Sequence, residues 1–433
     1  MKQSFYNLLI ELENKYYLFN SFYQTLAELE ESMYLLLKDD EINNIAIDDK
    51  EDLITNGFLI DKNKDEVNEY LKLFENAKTE TTLTVMLLLA TTCNLSCTYC
   101  YQNYANYNKE IISLENAAVF LQWVENEIKN KQINGLNIQF FGGEPLLAKD
   151  SITFLLKELS IIEIKYAISI TKTLITNATL LTDEICKMLV DNNVEFQITI
   201  DGINDVNNKR RFFKGTKEGT YDVIINSLNM IIQNGGIELL DIRMNVDKQN
   251  IENVEQLTEK VYNLGIKRFH CGRVLFREKQ TDYDINLITN KEFDSTYDWK
   301  LFKIMKKYGY ADTPSSFEIN TSCNLHNKHG YVISPNLDAA KCDELLDIAE
   351  YRIGYINSNG TLIHTNNNYK QQTSVTPANY DECLNCKLLP ICGSGCPIYS
   401  LNTKGTLYSS YCSETLDSVK AKIGNIIKAS ESE

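Results

Sequence analysis

The sequence predicts an α/β protein built on six β/α units in series, and three observations predict it. Between residue 83 and about residue 275, apolar runs of strand length alternate with stretches of helical spacing. At 433 residues the chain is too long for one ordinary domain, so further units must flank that region. Of the twelve cysteines, three fall within eight residues (Cys93–Cys100) and four more within fourteen (Cys383–Cys396), where core cysteines would scatter.

The expected strands are Leu83–Ala90, Leu136–Phe141, Ala167–Ile175, Glu195–Asp201, Asp241–Val246 and Arg268–Val274. The helices between them include Leu114–Lys129, Ile152–Leu159, Thr182–Asn192, Thr220–Gln233 and Glu252–Leu264. Serial β/α units imply a parallel sheet with right-handed crossovers, and an open, partial (β/α)6 barrel is the expected form. Active sites of such folds sit at the C-terminal ends of the strands.

Residues 1–80 read as a separate small unit. Tyr6–Leu12 and Lys15–Phe19 are expected strands, and Ala27–Leu37 an expected helix with Leu29, Met33, Leu36 and Leu37 on one face. Asp49–Thr55 and Asp65–Ala77 read as helices, Gly57–Asp61 as a strand after a glycine turn, and 79–82 as a linker. The barrel is expected over 83–310 and a third domain over 311–433. After residue 320 periodicity weakens, so the tail is expected to be held by metal rather than by a large apolar core.

A net charge of −16 argues against a general nucleic-acid binder, which needs cationic surface. The longest uninterrupted apolar run, Val85–Ala90, is far too short to span a membrane. The N-terminus lacks an apolar stretch of signal length and carries Glu11 and Glu13, so a cytoplasmic location is expected. Cytosolic thiols stay reduced, which leaves ligation, catalysis or core packing to explain the cysteines.

Cys93, Cys97 and Cys100 follow the first strand with the spacing C-x3-C-x2-C. A loop can wrap three such thiolates around one iron–sulfur cube and leave one iron open, by the logic of an open catalytic zinc position. A structural zinc site lacking its fourth ligand is the alternative. With Tyr99 before the last cysteine, this loop resembles that of the radical S-adenosylmethionine (SAM) superfamily. The resemblance implies a 4Fe-4S cluster whose open iron chelates SAM. SAM is then cleaved to a 5′-deoxyadenosyl radical that abstracts hydrogen from a substrate.

Phe141-Gly142-Gly143-Glu144-Pro145 ends the second strand, and its glycines let backbone approach a ligand. It resembles the family's GGEP motif, which implies that backbone and Glu144 hold the SAM amino group. Thr176-Asn177-Ala178 stands where the family often has Thr-Asn-Gly, and the Ala suggests a backbone without positive φ. Thr199-Ile200-Asp201-Gly202 resembles the family's Ser-x-Asp-Gly segment. Of the following Arg210 and Arg211, one is expected to reach the SAM carboxylate, with Arg211 the candidate and a solvated loop charge the alternative.

Cys383, Cys386, Cys392, Cys396 and Cys412 form a C-terminal array that resembles the SPASM extension of peptide-modifying radical SAM enzymes. The resemblance implies two auxiliary clusters. Cys383, Cys386, Cys392 and Cys412 would hold the distal one, and Cys323, Cys342 and Cys396 the nearer one. Leu337 occupies a position where the family has Gly, a departure that concerns turn geometry rather than ligation. The fourth ligand of the nearer cluster is open between His326, His329, substrate and none. Cys186 and Cys271 read as core. A zinc ribbon explains the tail alone and leaves Cys93–Cys100 unexplained.

Element order in residues 1–80 suggests a winged-helix-like shape, which in peptide-modifying relatives implies a site for a precursor's leader added as a strand. Scaffolding without peptide binding is the alternative. The resemblance therefore implies an oxidoreductase that modifies a ribosomally made precursor peptide, closing a C–C, C–O or thioether crosslink. A reductase, flavodoxin or ferredoxin would donate electrons. The rivals are a maturase that makes formylglycine in sulfatases and a non-catalytic, metal-stabilised peptide binder. Asp343, directly after Cys342, is the expected base, with an ordinary solvated carboxylate beside Glu344 as the alternative.

Overall fold

The computed structural model describes residues 1–103, 108–275, 283–311, 317–321 and 323–431. Six strands pair in parallel and in chain order: β1 (Thr82–Ala90), β2 (Gly135–Gly142), β3 (Ser169–Thr176), β4 (Glu195–Thr199), β5 (Leu240–Val246) and β6 (Arg268–Arg273). Helices Leu114–Lys131, Lys149–Tyr166, Asp183–Asp191, Tyr221–Gln233 and Val254–Asn263 connect them. Leu83, Val85 and Leu87 of β1 and Leu136, Ile138 and Phe140 of β2 bury into one core with Phe120, Val124 and Leu155 of the helices. The second helix is longer than the spacing indicates, because Ile162 continues its buried face. β3 starts at Ser169 rather than Ala167, since Ala167 is the left-handed cap of that helix (φ 51°).

The sheet does not stop at β1. β7 (Gly330–Ile333) pairs with it in parallel, setting Gly330 against Thr84 and Ile333 against Leu87. β8 (Asp338–Ala340), β9 (Gly354–Ile356) and β10 (Leu362–His364) follow antiparallel, giving ten strands in one sheet. This corrects the expected tail without a large apolar core: Tyr331, Ile333, Ala339 and Ile353 belong to the central core. β7 is four residues long and buried on both faces, so it shows no alternation to read. Leu337 sits in the turn between β7 and β8 with φ 67°, the left-handed geometry that glycine adopts most easily.

The first 77 residues form a three-stranded antiparallel sheet, Asn7–Leu12, Lys15–Asn20 and Thr25–Leu29, with helices Glu31–Lys38, Ile47–Thr55 and Glu66–Ala77. The short strands Lys2–Gln3 and Leu59–Ile60 pair separately. The helix expected over Ala27–Leu37 is therefore corrected at its start: Ala27 pairs with Leu18 in the sheet, and the helix begins only after Glu30. This unit is seated on the C-terminal tail. Leu8, Ile10, Tyr17 and Phe19 pack with Phe317, Leu388, Val419 and Ile423. Lys387 Nζ donates to the Asn7 carbonyl at 2.9 Å, and the Tyr70 hydroxyl to the Asn320 carbonyl at 2.5 Å. Among the described residues no helix is long and apolar enough to cross a membrane.

Candidate active site

The C-terminal ends of the strands open into a cavity of about 370 Å³. Its lining brings together Cys93, Cys97, Tyr99, Cys100, Gly142, Gly143, Thr176, Asn177, Thr199, Arg211 and Asp343. The loop after β1 is held by backbone. Ser96 N–H donates to the Phe212 carbonyl and Thr98 N–H to the Arg210 carbonyl, both at 2.9 Å. That pairing carries residues 210–213 to the cysteines.

Gly142 and Gly143 are needed for close approach. A Cβ at Gly142 (φ 130°) would lie 2.1 Å from the Ala90 carbonyl oxygen, and one at Gly143 2.1 Å from that of Thr92. Without side chains, Gly143 N–H reaches Ala90 O at 2.8 Å and Glu144 N–H reaches Thr92 O at 3.0 Å.

Glu144 is fully buried and does not line the cavity. Its Oε1 accepts from the Thr176 hydroxyl at 2.6 Å and Leu146 N–H at 3.0 Å, and its Oε2 from Asn177 N–H at 2.9 Å. Burial pushes this carboxyl up in pKa, and the three hydrogen bonds oppose that rise. The carboxylate thus pins the end of β2 to the end of β3. Asn177 in turn donates to Asn94 Oδ1 at 3.0 Å and approaches Cys93 Sγ at 3.6 Å. Ala178 has φ 61°, which corrects the expectation that this position avoids positive φ. Its N–H is fixed by Thr176 Oγ1 at 3.0 Å, and the structure imposes the left-handed turn despite the Cβ.

The two arginines separate cleanly. Arg210 Nη1 contacts Asp247 at 2.7 Å, its Nε lies 3.6 Å from Asp201, and its guanidinium covers the Tyr99 ring at 4.9 Å. Burial opposes its charge, and the two carboxylates outweigh that opposition. Arg211 instead lines the cavity and donates to the Tyr99 hydroxyl at 2.6 Å. Burial raises the Cys93 thiol to about 11 and the Cys97 thiol to about 12, with Arg211 acting in the opposite sense at both. Two neighbouring thiols of this kind become thiolates only beside a strong cation, which fits a metal cluster.

Asp343 reaches the same cavity from the C-terminal tail, where its Oδ2 accepts from the Tyr101 hydroxyl at 2.6 Å. Sequence reasoning missed Gln197, Arg243, Asn245 and Arg273, which also line it. A signal was present on β5: Arg243 and Asn245 alternate with buried Ile242, Met244 and Val246, so both point inward.

Several tail cysteines are neighbours of one another. Burial raises Cys383 to about 12, and Cys392, Cys386 and Cys412 add to it. Burial likewise raises Cys323, where Cys396 adds, and Cys342, where Cys323 adds. Cys323, Cys392, Cys396 and Cys412 line a second cavity of about 1200 Å³. Among the described residues no three His, Cys, Asp or Glu side chains are close enough to hold one metal ion. Cys186 is fully buried, and Cys271 is partly buried against the main core.

Residues 87–261 match the family model of the radical SAM superfamily. This chain is a radical SAM enzyme. The cysteine-type anaerobic sulfatase-maturating enzyme of Clostridium novyi is 24% identical over 70% of this chain and 84% of its own length. The radical SAM cyclopropyl synthase TigE of Paramaledivibacter caminithermalis is 24% identical over 82% of this chain and 76% of its own. The crystal structure of Streptococcus suis SuiB bound to precursor peptide SuiA superposes with TM-score 0.55 at 15% identity, covering 94% of this chain and 98% of SuiB. The enzyme is thus related to peptide-modifying and sulfatase-maturing radical SAM enzymes, and its family implies a 4Fe-4S cluster and SAM.

Proposed function

We propose that this radical SAM enzyme matures a ribosomally made precursor peptide by closing an intramolecular crosslink. The observation that carries the reading is the extent of the fold it shares with SuiB. Coverage of 94% leaves too few unmatched residues for the N-terminal unit to lie outside the match. In the same kind of structural superposition anSMEcpe covers 81% of the chain, with a TM-score of 0.62. The edge strand Thr25–Leu29 has one partner, Lys15–Asn20, and is only partly buried, which suits pairing with a leader peptide. TigE, a cyclopropyl synthase, is a relative whose name describes ring closure.

When bound, the cluster and SAM supply a 5′-deoxyadenosyl radical that takes a hydrogen atom from the substrate. Cys93, Cys97 and Cys100 would ligate the cube. Arg211 places a cation in the cavity for the SAM carboxylate, and the Gly142–Gly143 backbone offers close approach to its amino end. Tyr99 holds Arg211 in place, while Thr199 and Asn177 supply polar lining. Asp343 would accept the proton that an oxidative ring closure releases, and an auxiliary cluster would take up the accompanying electron. Cys383, Cys386, Cys392 and Cys412 would hold one auxiliary cluster, and Cys323, Cys342 and Cys396 the other. A flavodoxin, ferredoxin or reductase would supply electrons.

The second reading, a sulfatase maturase, is favoured by the 84% coverage of the Clostridium novyi relative. Reconstituted enzyme with SAM and reductant separates the two. Loss of two hydrogens from a precursor peptide encoded beside the gene supports crosslinking. Formylglycine in a sulfatase-derived cysteine peptide, with the precursor untouched, supports the rival.

A further inference from the structure

Deepening the crosslinking reading, and resting on it, we infer that Arg243 binds a carboxylate of the substrate peptide. Arg243 lies on β5 and lines the cavity at the strand ends. Its seat is built by the next strand. Gly272 of β6 pairs with Asn245, and a Cβ at Gly272 would lie 2.4 Å from Arg243 Nη2. The guanidinium thus rests over a residue that has no side chain. Arg243 Nε donates to Asn245 Oδ1 at 2.9 Å, and Asn245 Nδ2 donates to the Tyr99 hydroxyl at 3.2 Å. These bonds fix the side chain by one nitrogen and leave its two terminal nitrogens for a ligand, a fork that matches a carboxylate.

Arg211 and Arg243 stand at the two ends of one chain of bonds, because the Tyr99 hydroxyl accepts from both Arg211 and Asn245. Their surroundings divide the work. Arg211 is the cation that acts on the Cys93 and Cys97 thiols, whereas Arg243 acts on Cys271 of β6. SAM carries one carboxylate, and Arg211 stands on the cysteine side to meet it. Arg243 is a further cation, and among the described residues no carboxylate pairs with it. Asp241, two residues earlier on the same face, pairs with His270 Nδ1 at 3.0 Å instead. The third arginine of the cavity, Arg273, donates to Asn290 Oδ1 at 2.9 Å and covers the Phe293 ring at 4.8 Å. A guanidinium drawn out of water needs a counter-charge. An Asp or Glu side chain of the peptide, or its C-terminus, supplies one.

The test uses the full reconstituted enzyme with SAM, a reductant and the precursor peptide encoded beside the gene. Each Asp and Glu of the peptide is changed in turn to Asn or Gln, and in a separate sample the C-terminus is amidated. One of these neutral peptides should raise KM by about 10- to 100-fold with a smaller change in kcat, the usual worth of a charge-assisted bond. Which peptide does so tells a side-chain carboxylate from the C-terminal one. Arg243→Gln should cost the unaltered peptide as much, and should cost that neutral peptide little more, because both changes remove one shared interaction. SAM affinity of the variant should stay near the parent's. Gly272→Ala crowds the guanidinium without removing its charge, and should raise KM for the unaltered peptide but not for the neutral one. Losses that multiply in the combined case, no neutral peptide with a raised KM, an equal effect of Gly272→Ala on both peptides, or a SAM affinity that falls as far as the peptide's overturns this inference alone. A precursor that the parent enzyme leaves unmodified overturns the crosslinking reading and this inference together.

Discussion

The Tyr101 hydroxyl donates to Asp343 Oδ2 across 2.6 Å, joining the residue after Cys100 to the residue after Cys342. Two segments 242 residues apart thereby meet on the wall of one cavity. A carboxylate held this way has a fixed direction, which a proton acceptor requires.

Asp343→Asn keeps the size of the side chain and removes its charge. The variant should bind iron and cleave SAM as the parent does, while modified peptide falls by about 10²- to 10⁴-fold, the usual worth of a positioned base. Peptide mass spectrometry and 5′-deoxyadenosine release, read in one reaction, check this. Undiminished peptide product would remove Asp343 from the chemistry.

Arg210 and Arg211 are neighbours with opposite expected phenotypes. Arg210→Met leaves Asp247 and Asp201 without their buried cation, and should cost about 3–5 kcal/mol of stability in a denaturant titration. Arg211→Gln removes a charge from the cavity wall, and should weaken SAM binding by roughly 10- to 100-fold, as loss of a charge-assisted hydrogen bond does. Calorimetric titration with SAM measures it. Unchanged affinity would assign Arg211 to holding Tyr99 alone.

These residues also mark what could be read from sequence. The six barrel strands were legible because each is an apolar run bounded by helical spacing, and the cysteine groups because their spacing is local. Two adjacent arginines look identical until the fold sets Asp247 and Asp201 against one of them. The strand Thr25–Leu29 was hidden because its residues also fit a helical face, and only pairing with Lys15–Asn20 decides between them. The motif marks Glu144, yet its burial beneath Thr176 and Asn177 depends on β3. Ala178 takes positive φ because its neighbours fix the turn, against the preference of its own side chain.

The N-terminal unit cannot be tested by simple removal, because Leu8, Ile10 and Phe19 pack against Val419 and Ile423. Amide hydrogen exchange avoids that problem. Adding the precursor peptide should slow exchange at the edge strand Thr25–Leu29, where an added strand would cover free backbone groups. Protection elsewhere with none at this strand would assign the unit to scaffolding.

The central claim is that Cys93, Cys97 and Cys100 carry the cluster that cleaves SAM. The direct measurement is 5′-deoxyadenosine released from SAM and a strong reductant, by the reconstituted enzyme and by the variant with all three changed to Ala. The enzyme should release it, and the variant should release none while keeping the iron of two auxiliary clusters. Full release by the variant would contradict the account.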